Sequence, residues 1–243
     1  MRTVRRPLAT TAALACVAGL ALTGCSLLKP AASGPFPDMT GSQVANKSVT
    51  ALRGTNSLTV SGNVWDAGKK MQLNMAVSKG GDCKGTISSQ DGSFELIRNA
   101  QSVFIKADEP FYRAQMKDLP KEQADAAVKT LAGHWLKSKA TDEDSKELSA
   151  LCDLNQLLKE FDKSEGAEKG KVTTEGGQEA LTLTTKTTDG TETLLVATKG
   201  EPYLLKASNT GKEPSDVSFS AFNEPVKADA PTGKDVIDAD KLG

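Results

Sequence analysis

Leu58-Thr59-Val60-Ser61-Gly62-Asn63-Val64 and Met71-Gln72-Leu73-Asn74-Met75-Ala76-Val77 decide the fold class of this chain. Apolar and polar side chains alternate in both stretches, apart from Ala76 on the polar face. A period of two puts the two classes on opposite sides of an extended strand. Working outward, Gly80-Gly81 turns the chain into Cys83, Gly85 and Ile87, and Asp91-Gly92 turns it again into Phe94–Ile97. Ser102–Lys106 follows. Five short segments joined by turn residues predict an antiparallel meander.

Helical periods flank this meander. Val44, Ala45, Ser48, Val49 and Leu52 share one face of a predicted helix over residues 41–52, with Gly54 at its stop. Pro120 starts a second helix lined by Ala124, Ala127, Val128 and Leu131 and ended by Gly133. Thr141 and Asp144 have near capping-box spacing. They predict one long helix whose broad stripe is Leu148, Leu151, Cys152, Leu154, Leu157, Leu158 and Phe161. Strands return at Leu181–Leu183, Thr193–Thr198 (after Asp189-Gly190), Tyr203–Ala207 and Val217–Phe222. From Lys227 onward the chain is polar and reads as a tail.

The amino-terminal residues are of another kind. Arg2, Arg5 and Arg6 precede an apolar run from Leu8 to Leu22, the pattern of a secretion signal. Leu22-Thr23-Gly24-Cys25 then reads as a lipobox: cleavage before Cys25 and diacylation of its thiol give stable anchoring. Arg5-Arg6 leaves the export route, general secretory or twin-arginine, open. The expected domains are a signal peptide at 1–24, an acylated Cys25 with a flexible tether over 25–38, a folded domain over 39–228 and a tail at 229–243. Localisation follows: the extracytoplasmic face of the membrane, held by lipid.

Removing residues 1–24 takes three arginines and no acidic residue, so the formal net charge moves from −1 to −4. That balance argues against nucleic acid as a partner. Cys83 and Cys152 are an even pair in an oxidising compartment and are expected to bond, the alternative being two buried thiols. A bond would point Cys83 at the long helix, with Gly85 and Ile87 on the same side. Thr59, Ser61, Gln72, Asn74, Lys84 and Thr86 then face water. The predicted fold class is α+β: a large curved antiparallel sheet, a half-barrel, wrapped around helices on its concave face.

The order of lipobox, tether, helix, five strands, helical middle and further strands resembles the LppX/LprAFG lipoproteins of actinobacteria, which share a half-barrel with LolA- and LolB-type carriers. Local matches are Leu58–Val64 after the first helix, Ser102-Val-Phe-Ile-Lys106 in the fifth strand and Ala230-Pro231 near the end. The resemblance covers roughly residues 39–235. It implies an apolar cavity between sheet and helices that binds acylated lipids or glycolipids, with delivery across the envelope and an envelope transporter or other protein as partner. The Cys83–Cys152 pair is not carried over from the family, and a tie of strand to helix would limit cavity opening.

Candidate cavity liners are Val60, Val64, Leu73, Met75, Val77, Ile87, Leu96, Ile105, Leu154, Leu158, Leu183 and Phe219. Gly62 and Gly85 leave room on the inward face, and Met71 and Met75 are adaptable liners. By themselves these residues fit bends and core filling better than a cavity, and it is the resemblance that implies the cavity. Phe111, Tyr112 and Met116 form either a lid or packing under a loop. No catalytic constellation is visible: His134 is the lone histidine, and Asp142-Glu143-Asp144 lacks the alternating spacing of calcium ligands. The expectation is a carrier and not an enzyme, without metal or cofactor. The rival expectation is an interaction or sensory lipoprotein with a filled core.

Overall fold

The computed structural model describes residues 34–66, 68–162 and 165–242. The signal peptide, the lipobox Cys25 and most of the tether lie outside them. Helix α1 (Gly41–Gly54) opens the fold. Its capping box is complete, because Thr40 accepts from Gln43 N while the Gln43 side chain accepts from Thr40 N. The five predicted strands are present as β1 (Ser57–Asp66), β2 (Lys69–Ser78), β3 (Cys83–Ser89), β4 (Gly92–Arg98) and β5 (Ser102–Ala107).

After β5 come α2 (Glu109–Gln115), α3 (Lys121–Leu131) and β6 (Trp135–Lys139). Two short helices follow, α4 (Lys146–Ala150) and α5 (Leu154–Leu157). Five strands come next: β7 (Glu168–Glu175), β8 (Gln178–Lys186), β9 (Thr191–Ala197), β10 (Leu204–Asn209) and β11 (Asp216–Ser220). The last strand is β12 (Val236–Asp238). One sheet holds all of them in the order β12-β6-β5-β4-β3-β2-β1-β11-β10-β9-β8-β7. Every pairing is antiparallel except β12 on β6.

Three expectations need correction. The long helix is not continuous. A 3₁₀ turn over Glu143–Ser145 leads into α4, and the chain breaks at Leu151–Asp153 before α5. Asp153 caused the break: its carboxylate accepts from Asn155 N and Gln156 N, so it caps a new helix where the apolar stripe would continue an old one. The Thr141 capping box is also not formed, and Asp142 instead accepts from Lys139 N. Finally, the segment around Phe111 is the helix α2 and no loose connection.

The expected tail contributes to the sheet. Leaving β11, the chain is fastened where Asn223 N donates to Ser57 O and the Ser57 hydroxyl to Glu224 O. It then reaches the far edge of the sheet, where β12 pairs with β6 and Lys139 meets Asp240. A register shift between Leu204 and Lys206 in β10 is a bulge that sends Leu204 inward and Leu205 outward. Leu205 packs there with Ala180 and Ala197, beside stacked Tyr203 and Phe222.

Asp108 docks α2 onto β4. Its carboxylate accepts from Phe111 N at 2.9 Å, Ser93 N at 2.9 Å and the Ser93 hydroxyl at 2.7 Å. Burial pulls its pKa up, but these hydrogen bonds together hold it below the usual 3.8. A carboxyl depressed by folding stabilises the fold above its unfolded pKa, and that contribution fades as pH falls through the depressed value. Asp108→Ala is therefore expected to cost about 1 kcal/mol at neutral pH. It should also flatten the acid limb of stability below about pH 4, as read by denaturation at stepped pH. A variant with the wild-type acid limb would remove Asp108 from this role.

Candidate functional site

Strand register builds one apolar face. Phe219, Val60, Met75, Gly85, Leu96, Ile105, Leu136 and Ile237 stand opposite one another from β11 across to β12. A neighbouring row runs Leu183, Leu194, Ala207, Val217, Gly62, Leu73, Ile87, Phe94 and Ala107. The helices lie on this face. Helix α1 packs against β7, β9 and β10. The α4–α5 segment is tied to β3 by the Cys83–Cys152 disulfide, whose Cα atoms are 5.4 Å apart. Helices α2 and α3 close a smaller cluster of Ala107, Tyr112 and Val128 around Phe94 and Phe111.

The predicted liners mostly meet in this core. Val60, Met75, Val77, Ile87, Leu96, Leu154, Leu158, Leu183 and Phe219 are buried in one cluster, and Val64 and Leu73 are half-buried against it. Phe161 meets Phe219 edge-on at 5.5 Å between ring centres. Ile105 is the exception. It shares the face, but it is only half-buried and joins no buried cluster. The same half-burial holds for Leu136 and Ile237 beside it, so apolar surface remains partly open at the β5–β6–β12 end.

The inward glycines do not mark empty space. A Cβ on Gly85 would lie 2.7 Å from Met75 Cα and closer still to the Asn74 carbonyl. Gly62 has φ +149°, and a Cβ there would come 2.8 Å from Val217 Cα. Both positions need glycine because a neighbouring strand comes too close. Leu52, Leu58, Leu96, Leu158, Leu183, Leu194 and Leu204 are essentially inaccessible to water. These side chains pack together between sheet and helices.

Two surface depressions lie outside that core. One, of about 400 Å³, borders the disulfide between the Lys79–Gly81 turn and α4–α5. Arg98 reaches into it, donating to Gly81 O and, at 3.3 Å, to the Ser149 hydroxyl. The other, of about 470 Å³, is on the water-facing side of the sheet. Sequence reading missed Arg98, which sits at the inward end of β4, because a single arginine ending a strand gives no periodic signal. It also missed the Tyr112 hydroxyl, buried without a hydrogen-bond partner among the described residues, where burial pushes its pKa up. Glu192 on β9 is likewise raised by burial. His134 Nδ1 lies 3.2 Å from Ala132 O, a local contact in the turn after α3. No group of three or more metal-ligating side chains occurs among the described residues.

One curved sheet with its helices gathered on the concave face defines an α+β half-barrel. No protein-family model matches the sequence, and no curated protein matches it. Solved structures do match. LprF from Mycobacterium bovis is 13% identical, covering 83% of this chain and 100% of LprF, with a TM-score of 0.54. The Mycobacterium tuberculosis lipoprotein LppX is 17% identical, covering 77% of this chain and 97% of LppX, with a TM-score of 0.48. The chain shares the fold of LprF.

Proposed function

We propose that this protein is an extracytoplasmic lipoprotein, anchored through diacylated Cys25, that binds the acyl chains of a lipid or glycolipid against the concave face of its sheet. The observation that carries this reading is the pair of apolar rows crossing the sheet, with Ile105, Leu136 and Ile237 left partly open at one end. Acyl chains would extend the core from that end, burying apolar area at about 25 cal/mol per Å² before the costs of association. Transfer across the envelope and a transporter partner belong to the same proposal. The fold supports it, as does the lipobox.

A second reading is supported by the packed leucines: a filled half-barrel that contacts another envelope protein and carries no cargo. Native mass spectrometry of the protein released gently from membranes separates the two. Masses spaced by CH₂ units and removed by organic solvent would support cargo. A bare mass that stays bare after incubation with host lipids would reject it. Ile105→Trp is the informative variant, since a bulky ring fits at a half-buried position. It is expected to reduce uptake of a fluorescent fatty-acyl lipid several-fold with the thermal midpoint kept. Met75→Trp is not useful, because Met75 Sδ already crowds Gly85. For the anchor, Cys25→Ala should move the protein from the membrane pellet to the soluble fraction; continued pelleting would count against lipidation.

A further inference from the structure

The depression on the outward face of the sheet has a composition of its own. It is lined by Ser61, Gln72, Asn74, Thr86, Ser88 and Ser218, on β11, β1, β2 and β3, with Gly62, Leu73 and Asp216 completing it. Ser218 stands opposite Ser61, Ser61 opposite Asn74, and Asn74 opposite Thr86. This is one row of neutral side chains at the strand spacing of about 4.8 Å. None of the six makes a side-chain hydrogen bond or ion pair with the described residues. Around it the same outward face carries charge: Lys84 on β3 itself, Lys206 opposite Ser218, and Glu95, Lys106 and Lys137 on β4, β5 and β6. Behind the hollow, on the inward side, β1 and β11 come together at Gly62, where a Cβ would lie 2.8 Å from Val217 Cα.

The chemistry excludes several occupants. The one charged lining group, Asp216, is acidic and is paired with Lys206 at 2.9 Å, so the lining itself offers no cation to a phosphate or sulfate. A single carboxylate is too few for a metal. A protein interface needs an apolar or aromatic centre, and this lining offers none, since the Leu73 side chain belongs to the inward row and packs against the core. What remains is a ligand dense in hydroxyls and without charge. Amide side chains present a donor and an acceptor side by side, and hydroxyls serve as either, so the row can bridge vicinal hydroxyl pairs directly or through water. The strand spacing is also close to the repeat of an extended pyranose chain. Trp65 lies two same-face steps beyond Ser61 along β1, held by its Nε1 donating to Pro214 O at 3.0 Å, and offers a ring for a sugar to stack on.

We propose that this groove binds a neutral oligosaccharide. It lies on the opposite face of the sheet from the acyl-chain site, so either proposal can fail without the other. The test uses full-length protein in detergent, with ¹⁵N-labelled side-chain amides, titrated with maltohexaose, cellohexaose, mannohexaose and chitohexaose. The expected result is saturable shifts of the Gln72 and Asn74 NH₂ signals with at least one sugar. The double variant Gln72→Ala/Asn74→Ala should weaken that sugar at least tenfold, followed by Trp65 fluorescence, while its remaining spectrum is unchanged. Absence of saturable shifts with all four sugars, or undiminished affinity in the double variant, would overturn the proposal. So would a photocrosslinker at position 74 that traps a protein while the sugars leave the amides unmoved.

Discussion

Removing the Cys83–Cys152 bond is expected to lower the thermal midpoint by on the order of 10 °C. The bond closes a loop of 69 residues between the central strand β3 and the break between α4 and α5. Chain entropy alone assigns about 4 kcal/mol to a loop of that length, although the entropic account is model-dependent. For a domain of this size each kcal/mol moves the midpoint by about 2–4 °C. Cys83→Ala/Cys152→Ala should show the effect, and reduction of the wild type should reproduce most of it. The native packing explains why the loss is so local. Both sulfurs are buried, and α4 and α5 are each too short to hold their place by helical cooperativity. Without the tie, hydrogen exchange should accelerate over residues 143–162 before it does in β1–β3. A midpoint shift below about 1 °C would mean that the α4–α5 segment is held by its leucines and that the bond is incidental. The same variant also bears on cargo. If the tie restrains opening of the concave face, acyl-lipid uptake rises when it is cut.

The half of the fold from α1 to β5 was legible because its local signals agree with one another. In β1 and β2 the alternation is strict enough to fix the face, and register then carries that face to β3 and β4 through turns at Gly81 and Gly92, both at positive φ. The later half was legible only where strands are buried. Edge strand β7 is exposed along most of its length, so Glu168–Glu175 has no alternation to read. β6 is half-buried on both sides, and β12 is three residues held by parallel pairing to a strand distant in sequence. In the helical middle, Leu148, Leu151, Leu154 and Leu158 keep a helical period straight through the break, and one carboxylate at Asp153 outweighs it.

For the site, the identity of the inward residues followed from period two, but their state did not. From the sequence Gly62 and Gly85 read either as room for a ligand or as bends. In three dimensions they are points of contact between backbones, and no count along a single strand contains the distance to its neighbour. Met75 illustrates the same limit: it is an adaptable side chain that here is pressed against Gly85 and almost wholly buried. The half-burial of Ile105, by contrast, depends on which strands no helix covers, a property of the whole topology.

Leu158→Ala is expected to destabilise the lipid-free protein by about 3 kcal/mol, again a fall on the order of 10 °C. Leu158 caps the C-terminus of α5, its N–H bonds Leu154 O at 3.1 Å, and its side chain is completely buried in the main cluster, which also holds Cys152 and Phe219. Truncation removes three heavy atoms from a place where the surroundings are held by the disulfide on one side and the sheet on the other, so the gap collapses poorly. The measurement that matters is the same denaturation repeated with a saturating fatty-acyl lipid. A carrier that admits acyl chains between α5 and the sheet places a chain where the leucine was, and binding to the native state alone then restores stability by mass action. A filled half-barrel shows the full loss with and without lipid. A variant as stable as wild type in the absence of lipid would mean that Leu158 borders space that is already open, which would remove the packed core as a barrier to entry.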